Sequence, residues 1–217
     1  MKNQAVKHSM LNIRDLTEST YVMKLDRNGM KFMAGQHVTI SMPGDTQVRE
    51  YSIYSTENEC FIELLIKEVD DGMVSKRLRG CLPGEHLIMD GPFGFFTLDE
   101  KRRHRHHLFI ATGTGIAPFH SMAGSYPDLN YTLLHGVRTC EEAYESHFYP
   151  AGKYILCTSR DDTGHFHGRV TDYIRKNPVD PGTIVYLCGN SNMIYEVYDI
   201  LMSLHFPADQ IKTEVYF

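Results

Sequence analysis

Residues 107–119, HLFIATGTGIAPF, decide how the second half of this chain is built. A largely apolar run at 107–111 enters a turn carrying Gly113 and Gly115, then continues into a helical candidate at 116–124 with Pro118 near its start. Strand, tight turn and helix start make one unit of a βαβ repeat, and the sequence that follows keeps repeating it. NYTLLHG (130–136), KYILCTS (153–159) and TIVYLCG (183–189) are further apolar runs, as parallel strands covered on both faces require. Helical candidates at 140–148, 168–176 and 191–204 accompany them. The alternation predicts an α/β doubly wound parallel sheet.

Upstream the pattern is different. Short β-rich segments at 4–13, 20–25, 36–41, 49–55, 60–67 and 86–89 are separated by turn signals such as Asn28-Gly29, Pro43-Gly44 and Pro83-Gly84. Six short strands at this spacing predict a small antiparallel β-barrel, whose closure removes exposed edges. GMVSKRLRG, 72–80, breaks the pattern and reads as a short helix after the Asp70-Asp71-Gly72 turn. The charged segment DEKRRHRHH, 99–107, marks the change of style, giving expected domains at 1–103 and 104–217.

Bulk properties narrow the function. A chain of 217 residues holds two domains of ordinary size, and 42% apolar with 23% charged residues is a globular composition. The formal net charge of -5 argues against general nucleic-acid binding, which needs a broad basic face. Five cysteines (Cys60, Cys81, Cys140, Cys157 and Cys188) lie far apart without CxxC spacing, which suits a reducing compartment and leaves no iron-sulfur motif. The first ten residues carry no signal-peptide run, and no stretch approaches the ~20 apolar residues of a membrane span, so a cytoplasmic protein off the membrane is expected. His104, His106, His107, His165 and His167 lack Cys or carboxylate partners at ligand spacing, so no metal site is expected.

Four motifs carry chemistry. At Gly113-Thr114-Gly115 a strand turning through glycines lets backbone amides approach a pyrophosphate, although such a turn also simply makes room for packing. In REYSIYS, 49–55, period-2 geometry puts Arg49 and Tyr51 on one face and Ser52 on the other; a half-buried aromatic and a solvated charge are the plain alternative. GMVSKRL, 72–78, offers helix N-terminal amides to a phosphate. In YLCGNSNM, 186–193, Cys188 lies at the carboxyl end of a parallel strand, where such sheets bind ligands, or is buried for packing.

The order RxYS, GxxS, GPFG at 91–94, GTGIAPF and CGxxxM at 188–193 closely resembles the ferredoxin–NADP reductase family of flavoenzymes over nearly the whole chain. That resemblance implies an FAD-binding barrel followed by an NADP-binding doubly wound domain. It assigns Arg49 to the FAD pyrophosphate, Tyr51 to packing on the flavin, Ser52 to a hydrogen bond near flavin N5, and Glu50 to the same FAD-binding strand. Gly72, Met73, Val74 and Ser75 correspond to the segment that holds the flavin phosphates. Gly113, Thr114, Gly115, Gly189 and Met193 fall on the nucleotide side, with Cys188 near the nicotinamide C4. Hydride transfer asks mainly for alignment of C4 and N5 at roughly 3–3.5 Å, and Ser52, Cys188 and Glu214 are the implied catalytic positions.

HGVR (135–138), SRDD (159–162) and HGRV (167–170) set Arg138, Ser159, Arg160 and Arg169 near successive strand ends. Bacterial NADP-using members are similar at all three, where the arginines bind the 2′-phosphate side, and forked guanidinium donors suit phosphate; a set of surface arginines, with Arg169 facing solvent, is the plain alternative. Glu214-Val215-Tyr216 matches the C-terminal Glu-x-Tyr of plant-type members, whose Tyr stacks on the flavin; Phe217 follows, so either aromatic is a candidate, and a plain final strand is the alternative. The resemblance therefore implies electron transfer between NADPH and a one-electron carrier, ferredoxin or flavodoxin, through FAD, by a monomer or weak dimer. A flavin or oxygenase-partner reductase and a non-catalytic flavin-binding subunit are the rival readings. KRRHRHH, 101–107, either attracts an acidic carrier or is a solvated connection.

Overall fold

The computed structural model describes residues 6–69 and 72–216, so Asp70, Asp71 and Phe217 lie outside the described residues. Two compact units emerge: residues up to Thr97 together with Ala117–Ser125, and Leu98–Ile116 together with Tyr126 onward.

The first unit contains β1 (Val6–Asp15), β2 (Thr20–Asp26), β3 (His37–Ser41), β4 (Arg49–Ser52), β5 (Phe61–Lys67) and β6 (His86–Phe93). They pair antiparallel in the order β4-β3-β6-β1-β2-β5. Just past β4, an Ile53–Leu64 bridge and a Tyr54 N–H donating to the Glu63 carbonyl at 2.7 Å join the two end strands. The sheet is thereby closed into the expected barrel. Alternate residues fill it: Tyr21, Met23 and Leu25 from β2, Ile62, Leu64 and Ile66 from β5, Val38 and Ile40 from β3. Helix α1 (Met73–Arg79) adds Val74 and Leu78, one turn apart, to the same core.

The second unit is a six-stranded parallel sheet of β7 (His107–Thr112), β8 (Tyr131–Val137), β9 (Tyr154–Thr158), β10 (Phe166–His167), β11 (Ile184–Asn190) and β12 (Ile211–Tyr216). The order is β10-β9-β8-β7-β11-β12. From β7 the chain winds outward through β8 and β9, then returns to the other side of β7 for β11. The topological switch point therefore lies at the carboxyl ends of β7 and β11. Helices α3 (Val170–Lys176) and α4 (Ser191–Ser203) belong to this unit. Met193, Ile194, Val197 and Leu201 give α4 an apolar stripe at helical spacing. Helix α2 (Ala117–Ser125), although it follows β7 in sequence, packs with the barrel. Its His120 ring stacks on Tyr54 at 3.8 Å, and the Ser121 hydroxyl donates to the Ser55 carbonyl at 2.6 Å.

The expected helix at 140–148 is not there. Two 3-10 turns, Cys140–Glu142 and Ser146–Phe148, take its place, interrupted by Glu145 at φ 47°. A left-handed residue cannot continue a right-handed helix, and burial of Tyr144 and Tyr149 from this short loop explains the break. Two strands, β10 and β12, extend the sheet beyond the four expected from apolar runs. A two-residue strand has no period to detect, and β12 is an edge with mixed exposure.

Candidate functional site

On the barrel, β4 leaves Arg49 and Glu50 exposed, half-buries Tyr51 and buries Ser52. Among the described residues, the exposed Arg49 guanidinium donates only to the neighbouring Val48 carbonyl, at 2.9 Å, leaving most of its fork without a partner there. Tyr51 packs on the core cluster that also holds Val74 and Leu78 of α1, and burial pushes its phenol up to about 12 against the opposing effect of Arg49. Strand and helix thus converge on one side of the barrel.

Helix α1 begins at Gly72 with no side-chain cap and no acidic residue in its first turn. A Cβ at Gly72 would clash with a Val69 methyl and lie 2.8 Å from the Ser75 hydroxyl, so a larger residue would have to displace both side chains. The Ser75 hydroxyl faces back to the Gly72 carbonyl at 3.4 Å. Behind the segment, the buried Tyr21 hydroxyl donates to the Ser75 carbonyl at 2.7 Å. Arg79 clamps α1 to Glu68, to Asp15 at 2.8 Å and to the Glu18 carbonyl at 2.6 Å. An open guanidinium, a half-buried aromatic ring and a helix start with no side-chain cap and no acidic residue in its first turn, with exposed Met73 beside it, fit a flavin dinucleotide.

At the switch point the two glycines of the turn do different work. Gly113 starts a 3-10 turn, Gly113–Ile116, at φ 53°, and a Cβ there would meet nothing within 4 Å. It faces open space, as a nucleotide-binding turn requires. Gly115 is an internal contact: its Cβ would fall 2.6 Å from the Gly189 Cα. Gly189, at φ 125°, is pressed in return on Thr112, whose hydroxyl a Cβ would approach to 2.5 Å. The Asn190 N–H donates to that hydroxyl at 3.0 Å, and the Asn190 side chain caps α4 by accepting from the Asn192 and Met193 amides. Gly115 is therefore a packing glycine, while Gly113 faces open space. Thr114 lies between them in the same turn.

Cys188 is fully buried in β11, flanked across the ladder by Ala111 of β7 and Glu214 of β12. Burial first, and then the Glu214 charge, push its thiol well up, while a hydrogen bond from the Tyr216 side chain opposes them. An uncharged thiol is thus held inside the sheet near the carboxyl end of β11. Glu214 and Tyr216 lie in β12, so the C-terminal segment is a strand, while Phe217 lies outside the described residues. Met193, in the first turn of α4, is buried in the unit's core.

The arginines gather at the carboxyl edge of β8, β9 and β10. Arg138 follows β8 and Ser159-Arg160 follows β9; the Ser159 amide donates to the Val137 carbonyl at 3.1 Å and the Arg160 amide to the Arg138 carbonyl at 2.8 Å. Arg169, one residue past Gly168, caps α3, its amide donating to the Asp172 carboxylate at 3.0 Å. All three arginines are exposed, and among the described residues no carboxylate pairs with their guanidinium groups. The nearby Asp161 carboxylate is turned to the Cys140 amide at 2.8 Å and to Thr163, which hold it below the usual carboxylate range.

The basic run of 101–107 is largely spoken for. Arg102 pairs with Asp209 at 2.9 Å, Arg103 with Glu100 at 3.0 Å, and Arg105 donates to the Gly182 carbonyl at 2.7 Å. Among the described residues, no group of three His, Cys, Asp or Glu side chains is placed to hold a metal, and no helix is long and apolar enough to cross a membrane.

Sequence reasoning overlooked Tyr21, Thr112, Asn190 and His135. Asn190 carried a legible signal, a preferred capping residue at a helix start. The buried His135 did not; its partners, Gly113 and Tyr154, are 22 and 19 residues away.

Domain models described as oxidoreductase FAD-binding domain and oxidoreductase NAD-binding domain match residues 11–98 and 109–199. The toluate 1,2-dioxygenase electron transfer component of Pseudomonas putida is 31% identical over 204 residues, covering 86% of this chain and 60% of that protein. The chain likewise spans only about three-fifths of the propane 2-monooxygenase reductase component of Rhodococcus jostii, at 62%. The ferredoxin–NADP reductase of Azotobacter vinelandii is 26% identical, covering 88% of this chain and 87% of that one. A ferredoxin NADP+ reductase from Neisseria gonorrhoeae, solved with FAD and NADP, superposes with a TM-score of 0.85 over 98% of both chains at 21% identity, a likeness of fold. A flavin-binding barrel domain followed by a nicotinamide-nucleotide domain, in this order and over these residues, is the plan of the ferredoxin–NADP reductase family of oxidoreductases, and the chain belongs to it.

Proposed function

We propose that the chain moves electrons between NADPH and a one-electron carrier protein, ferredoxin or flavodoxin, by way of FAD. The observation that carries the nucleotide half is the open Gly113 turn at the switch point, one strand from an edge where, among the described residues, no carboxylate pairs with Arg138, Arg160 or Arg169. The acceptor is supported by similarity to the Azotobacter reductase that runs along nearly the whole of both chains. Five free thiols suit a reducing cytoplasm as its setting.

Bound FAD would supply the hydride chemistry and the passage from paired to single electrons. The chain's own residues bind and orient. Arg49 and the α1 amides hold the flavin pyrophosphate, Tyr51 packs along the flavin ring, and Ser52, buried beside it, hydrogen-bonds near N5. Gly113 and Thr114 present backbone to the nicotinamide nucleotide's pyrophosphate, and the arginines take its 2′-phosphate. Cys188, as a neutral thiol, supplies a small polarizable wall beside the nicotinamide without competing as a base, and Glu214 lies opposite it in register on the next strand. Tyr216, hydrogen-bonded toward Cys188, closes that side.

Anaerobic titration of the flavin-loaded protein with NADPH tests the proposal. Bleaching of the flavin absorbance at near-stoichiometric NADPH is expected; a yellow protein that stays oxidised overturns it. A second reading, a reductase serving an oxygenase component, draws on the similarity to the toluate dioxygenase component. Turnover with ferredoxin or flavodoxin well above that with free flavin supports the first reading over the second.

Nucleotide choice gives a separate prediction. Replacing Arg138 and Arg160 together by Ala removes charged phosphate contacts worth about 1.5–3 kcal/mol each. NADPH affinity is expected to fall by roughly 100-fold or more, with NADH affinity nearly unchanged. Equal losses for both nucleotides would show that the arginines do not read the 2′-phosphate.

A further inference from the structure

We propose that Tyr154 and His135 form a buried positioning pair that fixes the Gly113–Thr114 peptide and so sets the nucleotide affinity of the glycine turn. The inference rests on the nucleotide-binding reading above and goes beyond it, because neither residue faces the open side of the turn.

His135 is fully buried near the end of β8, paired in register with Ala111 of β7. Its Nε2 lies 2.9 Å from the Gly113 carbonyl and its Nδ1 lies 2.9 Å from the Tyr154 hydroxyl. A carbonyl only accepts, so Nε2 must carry a proton and donate. Burial keeps the imidazole neutral, so Nδ1 is bare and accepts from the Tyr154 hydroxyl. Tyr154 is itself fixed, its ring stacked on Tyr149 at 5.1 Å and 5°. The tautomer and ring orientation of His135 are therefore dictated from β9.

The consequence falls on the peptide after Gly113. In a trans peptide the carbonyl and the following N–H point in opposite directions. With the Gly113 carbonyl drawn inward to His135, the Thr114 N–H aims away from it. The first N–H groups of a helical turn have no partner within it, so this amide is left for an anion. Glycine cannot hold that orientation alone, since it populates positive and negative φ about equally. A glycine in an open turn needs an outside donor to choose one peptide direction, and His135 is that donor. The adjoining Gly136 serves the same corner differently: its Cβ would press on Val170 of α3 at 3.0 Å.

The test compares three variants in the FAD-loaded protein, measuring the dissociation constant for NADP+ by difference absorbance and kcat at saturating NADPH. His135→Gln keeps an amide donor near the Nε2 position; His135→Asn and His135→Leu do not. Loss of one buried hydrogen bond predicts NADP+ binding weaker by about tenfold in the Asn and Leu variants. His135→Gln is expected to stay within about threefold of wild type, with kcat within about twofold in all that retain FAD. If His135→Leu loses its flavin, the Gln–Asn contrast carries the test. Leu and Asn variants that bind as tightly as wild type overturn the positioning role alone. A Gln variant as weak as the others shows that ring volume, not the donor, matters, and overturns it too. Wild-type protein that binds neither NADP+ nor NAD+ removes the nucleotide reading, and this inference with it.

Discussion

Gly115→Ala is expected to lower stability by about 2–4 kcal/mol and to weaken nucleotide binding, although it adds one methyl group to a turn of unremarkable φ. The methyl carbon would lie 2.6 Å from the Gly189 Cα and 2.7 Å from the Cys188 carbonyl carbon. Both are main-chain atoms of β11, which is hydrogen-bonded on one side to β7 and on the other to β12. A flexible side chain would swing aside, but a central parallel strand cannot. Gly189 has no room to retreat either, because it already presses on Thr112 at the end of β7. The strain therefore passes to Cys188 and to the mouth of the site. Gly113→Ala is the control. It meets no atom within 4 Å and carries only left-handed backbone strain at φ 53°, of the order of 1–2 kcal/mol. Thermal unfolding of the two variants checks this: at roughly 2–4 °C per kcal/mol for a chain of this size, Gly115→Ala melts about 4–16 °C below wild type. A drop for Gly115→Ala no larger than that for Gly113→Ala would show that β11 yields, and the account of this contact would fail.

These two glycines also show where sequence reading stops. Both lie in one motif, and spacing alone does not say which faces a ligand and which faces another strand. The distinction needs Cys188 and Gly189, more than 70 residues away in a strand that lands beside the turn only because the sheet reverses at β7. What was legible was local and periodic: the six short β-rich segments of the first half, the apolar runs of β7, β8, β9 and β11, and the strand-end arginines that follow from them. Nonlocal features were missed. Residues 140–148 have helical content, yet Glu145 takes a left-handed conformation and Asp161 holds the Cys140 amide from another loop, so tertiary contacts override propensity. His135 stood in view inside HGVR, but the neighbouring Arg138 drew the chemical reading, and nothing in the motif reveals a Tyr154 hydroxyl on the next strand.

His135 also makes stability depend on pH, in a direction the burial fixes. Desolvation lowers its imidazole from 6.5 to about 4 in the folded chain, outweighing the Gly113 carbonyl and Glu142, which both favour the proton. Between these values the unfolded chain binds a proton that the folded chain refuses, so stability falls as pH falls. The contribution is intact above pH 6.5 and is lost progressively toward pH 4, by roughly 3 kcal/mol. His106 and His107 are lowered by burial too and act in the same direction, so wild-type acid unfolding alone does not isolate the effect. The difference between wild type and His135→Gln does. Glutamine has no proton to gain, so the variant, whatever its stability at pH 7.5, should improve relative to wild type by roughly 3 kcal/mol as the buffer is taken to pH 4. Urea unfolding across that range measures the difference directly. A flat difference would mean that His135 takes up its proton without cost in the folded state. That would require an acceptor on both ring nitrogens, and the Tyr154 hydroxyl would have to turn its lone pair rather than its proton toward Nδ1.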